Sequence, residues 1–392
     1  MPGFARAMER LGTETAFEVL ARAKQLEAQG RDIVHLEIGE PDFDTPGNIV
    51  EACKRALDEG YTHYGPSAGL PEFREVIASH IAADRDIDVG PQNVVVTPGG
   101  KPIMFYGMLA VLDPGDEALY PNPGFPIYES VINYIGAKPV PLVLRQENQF
   151  RLDLNELADK LSDKTRLLIL NSPHNPTGGI LPREDLRAIA EVLQDYPKVW
   201  VLSDEIYSKL LYESEHVSVT EFPGMVERTI ILDGFSKTYA MTGWRLGYGV
   251  MPEKLAQHVT RLETNCNSCP PAMIQRAGIE ALTGPQDAAD AMREAFRKRR
   301  DHLVAGLNAV EGIDCLLPGG AFYVFPSIAD LGKPAAEVAR RLLDEAGVAA
   351  LSGTAFGAHG EGHLRFSYAN SIENLDKALE RLAEFVPVLT GA

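Results

Sequence analysis

The sequence has 392 residues, of which 45% are hydrophobic, so it is long enough to bury more than one core and we expect two domains. Its formal net charge of −18 argues against nucleic acid or an anionic membrane surface as the main partner. No segment approaches the roughly 20 apolar residues that cross a bilayer, and the N-terminus lacks the apolar core of a signal peptide, so we expect a cytoplasmic protein.

Short apolar runs alternate with amphipathic stretches between residues 93 and 251. The predicted strands are 94–97, 117–120, 139–144, 166–171, 199–203, 229–234 and 245–250. Helices such as 101–112 and 183–194 are predicted between them. Strands that alternate with helices indicate an α/β fold whose mostly parallel sheet, here of seven strands, is covered on both faces. Such sheets bind ligands at the carboxyl ends of their strands.

The pattern changes after Pro285. One long charged helix is predicted over 287–309, and the apolar runs 321–325, 348–351 and 364–368 predict strands before a last amphipathic helix from Glu373. These elements indicate a smaller α+β domain. We expect residues 1–47 to pack on it, so that 48–284 form the large domain, and 1–47 with 285–392 form a discontinuous small domain.

Polar segments follow several of the predicted strands. The turn 97–101 (TPGGK) lies between a strand and a helix, where free N–H groups and the helix dipole favour an anion such as a phosphate. The segment 171–179 (NSPHNPTGG) follows the apolar run 167–170 directly, which makes an ordinary Asn-Pro turn a weaker explanation for it. Both segments are therefore expected at the ligand-binding edge of the sheet.

Asp204 ends the apolar run 199–203. Burying a lone carboxylate is costly, so this residue requires either a cationic partner or a structural role. The structural alternative is an N-cap for a helix formed by the following segment, EIYSKLLY. Taken by itself, the segment leaves the two explanations equally open.

Lys237 lies in the run 236–245 (SKTYAMTGWR), with Ser236 before it and Arg245 near its end. An amine that condenses with an aldehyde, beside a hydroxyl and a guanidinium that hold a phosphate, is what an enzyme needs to bind pyridoxal phosphate (PLP). A Ser-Lys pair alone has no such meaning, because most lysines are solvated surface charges. The whole run is much more specific.

With Asn175, Asp204 and Lys237 in this order, the chain resembles the fold-type I PLP aminotransferases of class I/II, and within them the bacterial aspartate aminotransferase-like branch. The resemblance runs from about Leu36 to Tyr368. It implies an enzyme that moves the amino group of an L-amino acid to a 2-oxo acid by a ping-pong mechanism, through a Schiff base on Lys237. A PLP-dependent β-lyase or synthase on the same fold would use the same cofactor residues.

The resemblance also implies roles for individual residues. Asp204 would pair with the ring nitrogen of the cofactor, and Asn175 and Tyr207 would bind its phenolic oxygen. The other implied cofactor contacts are the stacking ring of Phe125 and the phosphate contacts of Gly99, Gly100, Lys101, Ser236 and Arg245. Tyr64 would reach the phosphate in the neighbouring subunit, which implies a homodimer with shared sites.

For the substrate, the resemblance implies that Arg365 binds the α-carboxylate with a planar bidentate pair, together with the backbone of Gly39 and the side chains of Phe125 and Asn175. Aspartate-using relatives carry a basic residue and a threonine in the N-terminal segment, where this chain has Gly12 and Ala16. Lys101, which some of these relatives use for the distal carboxylate, is retained. Neutral or aromatic substrates are therefore plausible.

Other motifs point to different chemistry. Residues 65–69 (GPSAG) fit the GxSxG elbow of serine hydrolases, but that motif needs a buried strand before the serine, and the preceding YTHY is short and polar. Cys266 and Cys269 form a CxxC, yet there is no second pair or nearby histidine, so we expect neither zinc nor any other metal. Reduced thiols are expected instead.

Overall fold

The computed structural model describes residues 3–391. Its α-helices are α1 (Ala16–Glu27), α2 (Gly47–Asp58), α3 (Pro71–Arg85), α4 (Lys101–Val111), α5 (Ile127–Ile135), α6 (Leu154–Lys160), α7 (Arg183–Val192), α8 (Glu253–Cys266), α9 (Ala272–Thr283), α10 (Asp287–Leu307), α11 (Ala335–Arg341) and α12 (Ile372–Thr390). Its strands are β1 (Val34–His35), β2 (Val94–Thr97), β3 (Glu117–Asn122), β4 (Lys138–Val143), β5 (Thr165–Asn171), β6 (Trp200–Asp204), β7 (Thr229–Gly234), β8 (Gly247–Val250), β9 (Tyr323–Val324), β10 (Val348–Ala349), β11 (Leu351–Ser352) and β12 (Leu364–Ser367).

A seven-stranded sheet in the order β2-β8-β7-β6-β5-β3-β4 is the centre of the described structure. The pairs from β7 to β4 are parallel, and β8 is antiparallel to both of its neighbours. Helices cover both faces, so the predicted α/β fold with a mostly parallel sheet is confirmed. Because β2 runs parallel to β7, the carboxyl ends of β2, β3, β5, β6 and β7 share one edge of the sheet.

The strands are buried on both faces because they are almost continuously apolar. In β5, Leu167 and Ile169 pack with α4, α5 and α8, whereas Leu168 and Leu170 pack with α6 and α7. Because successive side chains of a strand point to opposite faces of the sheet, this one strand contributes to two separate cores.

The C-terminal part has its own core, in which α10 and α12 pack against a small antiparallel sheet in the order β11-β12-β9. Strand β1 pairs with β10 in parallel, so residues 34–35 lie with this part of the chain. The first residues of the described chain lie elsewhere. Arg10 and Gly12 hydrogen-bond to residues of α5, within the predicted large domain.

Several predicted bounds differ from the structure for local reasons. The strand expected over 245–250 begins at Gly247, because Arg245 has a left-handed φ of 54°. The strand expected over 348–351 is divided, since β10 pairs with β1 and β11 pairs with β12. The N-cap alternative for Asp204 is wrong, because residues 206–209 form a turn and the segment 205–212 contains no helix. Among residues 3–391, no helix combines the length and apolarity needed to cross a membrane.

Candidate active site

A cavity of about 530 Å³ opens at the carboxyl edge of the large sheet. The predicted site residues that line it are Gly39, Gly100, Lys101, Phe125, Asn175, Asp204, Tyr207, Ser236, Lys237, Arg245 and Arg365. Gly99 lies directly behind this lining. Tyr64 does not line the cavity and is 90% exposed on the surface.

Lys237 follows β7 and projects its amine into the cavity, where Nζ donates a hydrogen bond of 2.5 Å to the Gly39 carbonyl. The rings of Tyr207 and Phe322 lie 6.0 Å and 5.7 Å from the same nitrogen. Burial disfavours the ammonium form and lowers the pKa of Lys237 to about 8. A substantial fraction of this amine is therefore neutral near physiological pH, as a nucleophile requires.

Asp204 ends β6, the strand next to β7, lines the same cavity and is 5% exposed. Burial raises the pKa of its carboxyl to about 6, although hydrogen bonds from the Tyr128 hydroxyl (2.7 Å) and the Ile206 N–H (3.3 Å) oppose the shift. No basic side chain forms a salt bridge with this carboxylate among the described residues. A cation that enters the cavity would supply the missing partner.

Glu205, the adjacent acid, serves a different purpose. It accepts hydrogen bonds from Arg85 (2.8 Å) and His216 (3.0 Å) as well as from serine hydroxyls. Burial would raise the pKa of this carboxyl, but the charges of Arg85 and His216 hold it well below its usual range. Glu205 is thus a saturated structural acid, and Asp204 is the acid left for a ligand.

Of the two glycines after β2, Gly99 lies against the guanidinium of Arg245. Gly99 has a φ of +89°, and a Cβ there would collide with the Arg245 guanidinium, so the close packing depends on glycine. Gly100 precedes the first turn of α4, whose free N–H groups face the same region. With the Ser236 hydroxyl, this end of the cavity offers donors and a positive charge to an anion.

Arg365 lies on β12 and is 4% exposed, with its guanidinium 4.4 Å from the Tyr323 ring centre and 4.8 Å from that of Phe356. Its Nη1 donates to Asn175 Oδ1 at 3.1 Å and its Nη2 donates to the Glu37 carbonyl. The buried Nε has no partner within the described chain. A carboxylate would satisfy this fixed, stacked cation.

Gly39 packs closely against the tyrosine pair of Tyr323 and Tyr207, which leaves no room for a side chain at position 39. A Cβ at Gly39 would occupy the position of the Tyr323 hydroxyl, which lies 2.8 Å from the Tyr207 hydroxyl. The absence of a side chain lets the Gly39 carbonyl face Lys237.

Lys101 and Phe125 form one wall of the cavity, with Lys101 Nζ 5.4 Å from the centre of the Phe125 ring. The ammonium of Lys101 donates to the carboxylate of Glu14, from the N-terminal segment. Ala16 lines the cavity as expected, but Gly12 does not, because its N–H is hydrogen-bonded to the Ser130 hydroxyl at 2.9 Å.

The cavity therefore contains an amine with a lowered pKa, a buried carboxylate without a salt bridge and a site for an anion. These match the aldehyde, the protonated ring and the phosphate of PLP, so the residues present fit that cofactor. The serine of the GxSxG motif, Ser67, lies in a turn reached from α2 through residues 59–66, which form no strand, so the elbow geometry is lacking. The four cysteines are free thiols.

The sequence prediction missed Tyr128, Tyr323 and Glu14. Tyr128 lies three residues after Phe125 on α5, and that spacing was an available signal that both could face the cavity. Tyr323 and Glu14 reach the site through long-range contacts that no local pattern indicates.

Comparison with known proteins identifies close similarity over nearly the whole chain. The profile of the family "Aminotransferase class I and II" matches residues 31–382. The aspartate aminotransferase of Pyrococcus horikoshii is 42% identical over 93% of this chain and 92% of its own. The structure of aspartate aminotransferase from Thermus thermophilus with maleate has a TM-score of 0.93 at 39% identity, covering 98% and 100%. That of an aromatic aminotransferase from P. horikoshii has a TM-score of 0.89 at 39% identity, covering 93% and 99%.

Proposed function

This chain belongs to the class I and II aminotransferases, and from that premise we propose how its own residues serve the reaction. It is a PLP-dependent enzyme that transfers the amino group of an amino acid to a 2-oxo acid. When bound, PLP supplies the aldehyde that carries the amino group and a ring that accepts electrons from the substrate Cα. The alternative of a β-lyase or synthase is not favoured by these relatives.

The observation that supports the proposal best is the pair of opposed pKa shifts in one cavity. The amine of Lys237 has a pKa lowered to about 8, and the carboxyl of Asp204 has a pKa raised to about 6, both by burial. Ionisable side chains whose pKa values are shifted in this way are typical of active sites. We propose that Lys237 Nζ is the nucleophile toward the aldehyde and also moves the substrate proton.

We propose that the remaining residues orient the reactants. Asp204, held by Tyr128, would keep the ring nitrogen protonated, and Asn175 and Tyr207 would bind the phenolic oxygen. Phe125 would stack on the ring. The proposed phosphate contacts are the backbone of Gly99, Gly100 and Lys101 and the side chains of Ser236 and Arg245, so that the ammonium of Lys101 stays free of the phosphate. Arg365, with the Gly39 backbone and Asn175, would bind the α-carboxylate of every substrate.

Arg365→Lys should weaken all amino donors alike, because every donor presents the same α-carboxylate. A lysine cannot keep the contacts to Asn175 and Glu37 and also pair with a carboxylate in a bidentate manner. We expect kcat/KM to fall roughly 10- to 100-fold for aspartate, alanine and phenylalanine. A loss confined to one donor would place the α-carboxylate elsewhere.

We propose that the preferred donor has a neutral or aromatic side chain. Phe17, Phe125, Met104, Leu351 and Phe356 give the cavity apolar walls. Similar proteins carry names that refer to aspartate and to aromatic substrates at comparable identity, so similarity alone does not select a donor. Initial rates for a panel of amino donors with 2-oxoglutarate and with pyruvate test this, and strong selectivity for aspartate would contradict it.

Lys101→Ala should reduce turnover of aspartate, glutamate and 2-oxoglutarate while sparing alanine and phenylalanine. Lys101 is the lysine expected to meet a distal carboxylate, and a half-exposed cation of this kind contributes up to about 1 kcal/mol, or roughly fivefold. The measurement is kcat/KM for each substrate in the variant and the wild type. Equal losses for all donors would assign Lys101 to the cofactor alone.

We propose a homodimer with shared sites and the domain division 48–284 against 1–47 with 285–392. Support for the dimer comes from Tyr64, an aromatic side chain that is 90% exposed in the single chain, as expected of a residue whose contacts lie in a partner subunit. The N-terminal residues that contact α5 would then bridge the two domains. We also propose a cytoplasmic location, in keeping with four unpaired cysteines.

A further inference from the structure

The mouth of the cavity holds an ion pair that cofactor and α-carboxylate binding leave unexplained. In the proposed function, Arg245 binds the cofactor phosphate and Arg365 binds the α-carboxylate of the substrate. Lys237 takes part in the reaction itself. Among the described residues that line the cavity, Lys101 is the cation that remains. Its ammonium is already bonded to the carboxylate of Glu14.

The surroundings of this pair make it a substrate contact. Both side chains line the cavity, and that of Glu14 is 18% exposed while that of Lys101 is 49% exposed. Lys101 also lies 5.4 Å from the centre of the Phe125 ring, which forms the same wall. Thr15, Ala16 and Phe17 continue the rim beside Glu14 without adding charge.

We propose that Glu14 is a specificity-determining residue that competes with the distal carboxylate of a substrate for Lys101. This inference rests on the proposed function and names its substrate class. A dicarboxylate must displace the Glu14 carboxylate, or bind beside it against like-charge repulsion. A donor with an uncharged side chain leaves the ion pair intact and packs on the apolar wall. Glu14 thus disfavours aspartate, glutamate and 2-oxoglutarate.

Glu14→Gln tests the proposal because it keeps the shape of the side chain and removes the charge. In the PLP-loaded enzyme we expect kcat/KM for aspartate and glutamate to rise about fivefold, the effect of releasing one partly exposed ion pair, with phenylalanine unchanged. Calorimetry gives a second readout without turnover. Succinate should bind about fivefold tighter to the variant, whereas hydrocinnamate, which has one carboxylate, should bind equally to both.

Two control variants make the test specific. Glu18→Gln makes the same charge change on an exposed residue of α1 that does not line the cavity, and it should leave both dissociation constants unaltered. In a Lys101→Ala background, the gain from Glu14→Gln should shrink, because no ammonium is left to release. A gain of equal size in that background would mean that Glu14 acts by repulsion alone and would overturn the competition.

The outcomes separate this inference from the proposed function. A wild-type enzyme that transaminates none of the donors would contradict the function itself. A wild-type enzyme that transaminates phenylalanine or alanine, with a Glu14→Gln variant whose succinate affinity and dicarboxylate turnover change less than about twofold, would overturn only the role of Glu14.

Discussion

Replacing Lys237 by alanine should abolish transamination and remove the pH-sensitive visible absorbance that the covalently held cofactor gives. Among the described residues, the cavity offers no second amine in the same position, because the other lysine that lines it, Lys101, is engaged by Glu14. Lys237 would act both as the nucleophile and as the base that moves the substrate proton. The rate loss should therefore exceed the roughly 10²–10⁴-fold that general acid–base catalysis alone contributes.

Borohydride reduction followed by peptide mass analysis checks this result directly. The wild type should carry the reduced cofactor on the peptide that contains Lys237, and Lys237→Ala should carry none, while non-covalent binding persists through the phosphate site. Lys101→Ala is the matched control, since it removes a lysine from the same cavity and should keep both the absorbance and the labelled peptide. An unchanged spectrum in Lys237→Ala would disprove the assignment.

The fold and the polar strand ends could be predicted because both follow from local sequence. Buried strands are apolar runs, and parallel strands end at one edge, so Asn175, Asp204 and Lys237 had to be neighbours once the α/β pattern was recognised. Strand ends were less predictable. Arg245 has a left-handed conformation, which delays β8, and its guanidinium packs against Gly99, a long-range contact that its own propensity does not indicate.

The parts of the site that could not be predicted depend on long-range contacts. The ion pair of Glu14 and Lys101 joins residues 87 positions apart, through an N-terminal segment without periodicity. Gly12 stands in the sequence where aspartate-using relatives were expected to carry a substrate-contacting residue, yet its hydrogen bond to Ser130 holds it on α5, and it does not line the cavity. Tyr128 packs in a hydrophobic core, and the hydrogen bond from its hydroxyl to Asp204 is visible only in the structure.

Asp204→Asn should slow transamination by at least about 10²–10³-fold, with only a moderate loss of PLP retention. The amide keeps the shape of the carboxyl group and can still accept the Tyr128 hydroxyl, but it cannot hold a proton on the ring nitrogen. The measurement is single-turnover kinetics with saturating cofactor, beside the PLP dissociation constant. Near-normal activity would move the ring contact to another residue.

In the cofactor-free protein, Asp204→Asn should increase the free energy of unfolding. The pKa of Asp204 rises from 3.8 to about 6 on folding, so ionisation of the buried carboxyl costs nothing below the lower value, grows between the two and is complete above the upper one. Above pH 6, cofactor-free Asp204→Asn should therefore unfold at higher denaturant concentration than the wild type, by up to about 3 kcal/mol. Adding PLP should narrow this difference, because a protonated ring pairs only with the carboxylate and therefore stabilises the wild type more than the variant. Glu205→Gln is the matched control: it leaves Arg85 buried without its partner and should destabilise the protein with or without PLP. A variant at 204 that behaved like Glu205→Gln would make Asp204 a structural acid.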